Sequence, residues 1–220
     1  MNPFAVYVDE DRHPDIARAM AYGDYELAQK FCIEELYKQP LNSELLLQMA
    51  FFYFKLKDFQ KSAKAAEVAA KYCQGDHKAY FFIAASYGIL MQHKKCLTAL
   101  KKVNDLLPGN AYINRCIGSE YCNLKMFKKG FIFLKQSLAI DPKDPDTFFA
   151  FAVSCVQMGD LDQAQDWVNM ALEKNPTHPD YVMLFSKIAD ERKESYPSSN
   201  GKEANGGEKV QEGGSGEVDR

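Results

Sequence analysis

Six cysteines and four histidines are the side chains of this 220-residue chain best able to bind a metal, form a disulfide or act as a nucleophile, and their spacing argues against all three. His13, His77, His93 and His178 stand far apart, and none forms a close ligand motif with a cysteine. Cys32, Cys73, Cys96, Cys116, Cys122 and Cys155 show no paired spacing. Cys116 and Cys122 are six residues apart, which on one helix directs them to different faces. A glycine-rich phosphate loop, a GxSxG elbow and an HExxH pair are missing. The sequence thus predicts a non-enzyme: no catalytic residue, no metal, no cofactor and no small-molecule substrate. The cysteines read as reduced, packed thiols of a cytoplasmic protein.

The remaining candidates are phenylalanines and lysines, which bind rather than react, and their meaning depends on the elements that carry them. Pro40, the Gln74-Gly75 pair, Pro108, Pro142 and Pro176 fall 34 residues apart. A fixed period of this length signals one supersecondary unit copied in tandem, each copy stacking on its neighbours. Four full frames cover residues 43–76, 77–110, 111–144 and 145–178, after a degenerate frame at 9–42. Aligned, position 7 holds Met49, Ile83, Ile117 and Phe151, and position 11 holds Tyr53, Tyr87, Tyr121 and Cys155. Small residues occupy position 8 (Ala50, Ala84, Gly118, Ala152) and position 20 (Ala28, Ser62, Cys96, Gly130, Ala164). Within each frame, apolar residues recur at helical spacing in two runs separated by a short break. The breaks are Gly23-Asp24, Lys57-Asp58, Met91-Gln92, Lys125-Met126 and Gly159-Asp160, and Asp24, Asp58 and Asp160 are N-cap candidates. Pro14 starts the first helix late. Residues 179–194 read as one more amphipathic helix, covering the exposed face of the last repeat.

These columns resemble the tetratricopeptide repeat over roughly residues 9–178. The resemblance implies an all-α, right-handed solenoid of about five antiparallel helix pairs with a capping helix. A short extension at residues 1–8 precedes the solenoid, and a tail at 195–220 follows it. The tail is rich in glycine and poor in apolar residues and is expected to be disordered. No stretch approaches the length of a membrane span, and the N-terminus shows no secretory signal.

In this family the first helix of each pair lines a concave groove, chiefly through positions 2, 5, 6, 9, 12 and 13. Carried over, the groove residues are Leu47, Phe51, Phe54, Lys78, Phe81, Phe82, Ile89, Tyr112, Arg115, Ser119, Asn123, Phe149 and Val153. Since other residues fill the packing columns, the phenylalanines read as additional to the core. They form either a patch for a partner or a set of rings that the curling array, or the first residues with Phe4, Val6 and Tyr7, buries internally. On the first reading Phe51, Phe81, Phe82, Tyr112 and Phe149 anchor the partner, and replacing Phe81 and Phe82 with alanine leaves the fold nearly intact while abolishing binding. The carboxylate clamp with which some relatives grip acidic chaperone tails is absent, since only Lys78 and Arg115 offer charge at its positions. An apolar peptide or amphipathic helix suits this groove better.

Charge is segregated. Residues 91–136 carry nine basic residues against two acids, a net of +7, while 141–190 carry nine acids against three lysines, a net of −6. Lys94, Lys95, Lys101, Lys102, Lys125, Lys128 and Lys129 form the basic face. The leading functional expectation is a protein-interaction scaffold or chaperone-like adaptor. The alternatives are self-assembly into a dimer or larger array, and an adaptor whose basic face meets an acidic protein or nucleic acid. Nucleic acid is disfavoured, because no nucleic-acid motif accompanies the lysines and the whole chain is mildly acidic.

Overall fold

Each frame becomes two helices because its apolar residues face one another across a turn that the sequence enforces. The structure, a computed structural model, describes residues 12–72 and 75–195. Phe4, Val6, Tyr7, Cys73 and the tail beyond Ser195 lie outside the described residues, and with them the expectations of an N-terminal cover and a disordered tail. The described chain is all-helical, in the order α1 (Pro14–Ala21), α2 (Tyr25–Lys38), α3 (Ser43–Lys55), α4 (Phe59–Tyr72), α5 (His77–Ile89), α6 (His93–Leu106), α7 (Ala111–Asn123), α8 (Phe127–Ile140), α9 (Pro145–Met158), α10 (Leu161–Lys174) and α11 (Pro179–Ser195). Helices pack in chain order, as a solenoid requires. None is long and apolar enough to cross a membrane.

The first residues of the four full frames, Ser43, His77, Ala111 and Pro145, each begin a helix. The residue before each frame sits at the cap. Asn42 Oδ1 accepts from the Glu44 and Leu45 amides, Asp76 Oδ1 from Lys78 and Asn110 Oδ1 from Ile113, satisfying amides that a helix start leaves unpaired. The second helices open similarly where an aspartate is available: Asp24 accepts from the Leu27 amide, Asp58 from Lys61 and Asp160 from Gln163. Position 15 of every frame adopts left-handed backbone. Gly23 and Gly159 supply it in the outer repeats, but Lys57, Met91 and Lys125 do so in the inner three, with φ of 62°, 54° and 60°. A Cβ makes that conformation cost about 1 kcal/mol, so the inner turns are held by the helices they connect.

The small columns explain the closeness of the pairs. Positions 8 and 20 are buried in every repeat, and Ser62 at position 20 donates to the Ala50 carbonyl at position 8, 2.8 Å away. In the fourth repeat both positions are glycine. A Cβ on Gly118 would come within 2.8 Å of Leu134, and one on Gly130 would strike Cys122 Sγ and lie 2.8 Å from the Gly118 carbonyl. Two further buried columns complete the core: Leu45, Ala79, Ile113 and Thr147 on the first helices, and Ala66, Leu100, Leu134 and Val168 on the second.

The apolar interior falls into two clusters. One runs from Ile16 on α1 to Tyr121 on α7, and the other from Phe148 on α9 to Ile188 on α11. Between them lies a polar seam. Arg115 Nη1 on α7 donates to Asp144 Oδ2 at 2.7 Å and Asp146 Oδ2 at 2.9 Å. The Tyr181 hydroxyl on α11 donates to Asp146 Oδ1, and the Thr147 hydroxyl to Asp144. Ser137 donates to the Ala111 carbonyl and meets the Thr147 hydroxyl at 3.0 Å. Burial opposes the Arg115 charge, but Asp144 and Asp146 outweigh it and hold the guanidinium protonated.

Candidate functional site

A concave pocket of about 670 Å³ opens among α5, α7, α9 and the start of α11. Its origin is a gap in the array. α3 approaches α5, and α7 approaches α9, but α5 and α7 do not approach one another closely. Small side chains on the facing surfaces leave the space unfilled: Ala84, Ala85 and Gly88 on α5, Cys116 and Ser119 on α7. Phe54, Phe81 and Ile89 form an apolar wall on one side, and Phe149, Ala150 and Val153 form another on α9. Polar side chains complete the lining: Arg115, Asp146 and His178 near the starts of the helices, Glu120, Asn123 and Gln157 toward the ends of α7 and α9.

Of the residues read from the sequence as groove-lining, the structure gathers Phe54, Phe81, Ile89, Tyr112, Arg115, Ser119, Asn123, Phe149 and Val153 around this one pocket. Leu47, Phe51, Lys78 and Phe82 do not line it. The reading of the phenylalanines as additional to the core is corrected for three of them. Phe51 is 7% exposed, Phe81 5% and Phe82 0%, because the array curls until the rings of successive first helices meet. Phe82 lies 6.2 Å from Phe51 and 6.0 Å from Phe54, centroid to centroid, in edge-to-face geometry. Phe51 also packs edge-on against Tyr25 and Phe52. Phe81 keeps only an edge toward the pocket, while Ile89 and Tyr112 are genuinely open, 51% and 40% exposed. A Phe81/Phe82 double truncation therefore strikes the core and cannot separate binding from folding.

The polar part of the lining is largely committed to structure. Arg115, one of the two charges available to a clamp, is held by Asp144 and Asp146. Glu120 accepts from or pairs with His93 Nδ1 at 2.9 Å. Gln157 Nε2 donates to Asn123 Oδ1 at 3.3 Å, while Gln157 Oε1 and His178 Nδ1 are buried without a hydrogen-bond partner among the described residues. Cys96 and Cys116 are the pocket's thiols, and burial raises both, Cys116 to about 11. Among the described residues no three His, Cys, Asp or Glu side chains converge as a metal's ligands would.

His178, Asp180 and Tyr181 were absent from the expected groove. The sequence held a signal for them: Tyr181 falls at position 3 of a sixth frame beginning at Pro179, the column occupied by buried residues in each full repeat. Lys94, Lys95, Lys101, Lys102, Lys125, Lys128 and Lys129 are all exposed.

Residues 133–188 match the family profile described as tetratricopeptide repeat. No curated sequence matches the chain. Among solved structures, a tetratricopeptide repeat protein from Parabacteroides merdae is similar with a TM-score of 0.77 at 14% identity, covering 90% of this chain and 76% of its own. YrrB, described as a tetratricopeptide-repeat protein with an unusual peptide-binding site, gives 0.70 at 15% identity over 86% and 94%. MamA from Desulfovibrio magneticus gives 0.70 at 19% identity over 80% and 99%. With identities this low the structural likeness speaks for the fold, a solenoid of the tetratricopeptide-repeat kind, and the family's own profile is matched over residues 133–188.

Proposed function

We propose that the concave pocket of the third to fifth repeats holds an apolar or amphipathic segment of a partner protein, so that the chain acts as a non-catalytic scaffold or chaperone-like adaptor. The supporting observation is the gap of about 670 Å³ between α5 and α7, walled by Phe54, Phe81, Ile89, Phe149 and Val153. Apolar recesses of this size and shape on a rigid array are typical ligand sites. A peptide-binding site in YrrB, whose fold is similar, is consistent with this reading. Two or three apolar side chains seated here would each supply about 1.5–3 kcal/mol before ordering costs.

The test avoids the buried rings. Peptides selected from a displayed random library against the intact protein are measured against Ile89→Glu and Tyr112→Ala, whose wild-type side chains stand open at the pocket rim. The proposal expects apolar consensus peptides, and a loss of about tenfold or more in affinity with unchanged circular dichroism. Peptides that bind both variants as well as the parent chain sink it.

A further inference from the structure

We propose that the outer edge built from α6 and α8 docks an acidic polypeptide segment of a partner protein, at a surface separate from the concave pocket. Lys94, Lys95, Lys101 and Lys102 project from α6, Lys128, Lys129 and Lys135 from α8, and Lys125 from the turn before it, all of them exposed. Among the described residues no carboxylate lies within ion-pair distance of any of the eight. The ion pairs among the described residues lie elsewhere, so the cluster is charge that the described fold leaves unanswered.

Its placement runs against what folding favours. α2, α4 and α10 open under Asp24, Asp58 and Asp160, whose side chains cap the first turn. α6 and α8 open under Gln92 and Met126, neither of which caps, and neither helix has an acid in its first turn. Lys94 and Lys95 stand there on α6, and Lys128 and Lys129 on α8, at the positive end of the helix dipole. Among the described residues no acid stands in either first turn and no ion pair answers these lysines, and an anionic partner relieves the lysines and both helix starts together. Some of these lysines also rest over aromatic rings. Lys95 Nζ sits 4.6 Å over the Tyr87 ring, and Lys101 and Lys129 lie 5.2 and 6.0 Å over the Tyr121 ring. Fixed cations lose less freedom on binding than mobile ones. A recess of about 330 Å³, rimmed by Lys94, Lys95 and Lys102 over Tyr80 and Ile83, gives a partner side chain somewhere to seat. The acid in that recess, Glu67, already accepts from the Tyr87 hydroxyl at 2.6 Å.

Carboxylates suit this edge better than phosphates. Its cations are all lysines, whereas arginine forks are the usual bidentate readers of phosphate. The tyrosines beneath its lysines, Tyr87 and Tyr121, are each 7% exposed and offer no open face on which a base could stack. A second copy of the chain is the weaker occupant. Although residues 141–190 carry a net of −6, five of their nine carboxylates already have partners: Asp144 and Asp146 on Arg115, Asp162 on Arg192, Asp190 on Lys193, and Asp160 as a cap.

The test measures a fluorescein-labelled glutamate-rich peptide and a single-stranded oligonucleotide of equal charge against the full chain and against Lys95→Gln/Lys129→Gln, across a salt series, with sedimentation of the protein alone alongside. The expected result is peptide binding that exceeds oligonucleotide binding, weakens with salt and drops about tenfold in the variant, with helicity and pocket binding unchanged. Three results overturn it: tighter binding of the oligonucleotide, peptide affinity indifferent to the two substitutions, or a self-associated protein that the two substitutions dissociate.

Discussion

Phe82 and Arg115 stand at comparable junctions of the array and join neighbouring repeats by opposite means. At the first junction, Phe82 on α5 meets Phe51 and Phe54 on α3, ring edge to ring face, within one apolar cluster that continues from α1 to α7. At the second, α7 meets α9 through Arg115, Asp144, Asp146 and Thr147, and a separate cluster begins beyond them. α8 and α9 also approach more sparsely than α4 and α5. An apolar junction draws its strength from area and tolerates small misalignment. A polar one depends on its partners being present, because a buried charge such as Arg115 or Asp144 left alone is costly. The first half of this solenoid should therefore unfold as a block, with the last repeat and α11 attached by a latch.

Breaking the apolar junction has the largest expected effect. Phe82→Ala removes a fully buried ring and is expected to cost about 3–5 kcal/mol in urea unfolding followed by circular dichroism. A cost below about 1 kcal/mol would show that the junction is less tightly packed than its ring geometry implies. Arg115→Ala strands two aspartates, one of them half-exposed, and is expected to cost about 2–4 kcal/mol. Its signature matters more than its size. Trp167, the only tryptophan in the chain, stacks on Phe151 at 4.5 Å within the second half, so its fluorescence should change at lower urea than the helical signal does. Coincident transitions would mean that the seam is not a boundary.

Gly130→Ala places a methyl against Cys122 and the Gly118 carbonyl, and α7 and α8 must part to admit it, at about 1–3 kcal/mol. Alkaline pH probes both halves at once. Burial raises the Cys32 thiol to about 12 in the first half and the Cys155 thiol to about 11 in the second. Each is protonated in the fold where the unfolded chain would ionise. Its contribution is therefore intact below pH 9 and declines as pH rises through 9 toward those values, by up to about 1 kcal/mol per unit and per thiol. Cys155→Ala should flatten that decline for the tryptophan signal more than for the helical signal; equal flattening would argue against two halves. The smallest effect is a gain. Met91→Gly relieves a left-handed residue and should stabilise by up to about 1 kcal/mol, whereas the same change at Gln92, next in the chain, should not.

The period, the helix pairs, the small columns and the aspartate caps were legible because each depends on residue type at a fixed position. The burial of Phe51, Phe81 and Phe82 was not, because it depends on how far the array curls, a property summed over several repeats. The pocket shows the same limit. Ala84, Ala85, Gly88, Cys116 and Ser119 could be read as small, but the parting of α5 from α7 that turns small into empty is a relation between two repeats. The seam was half visible, in that Arg115 was noticed as a charge in the groove while its aspartates lay 29 and 31 residues further on.

The caps between frames carry a consequence for how such a chain can change length. Asn42, Asp76 and Asn110 do the same work at the start of three successive frames, so a whole frame removed between them would still bring a capping side chain to a helix start. Excising residues 77–110, for instance, joins Asp76 directly to Ala111. Asp144 stands at the fourth position but makes no such cap, its oxygen being given to Arg115 and Thr147. The array is in this sense a ruler graduated in steps of 34 residues, free to be lengthened or shortened on one side and fixed at the other by a mark that only this end carries.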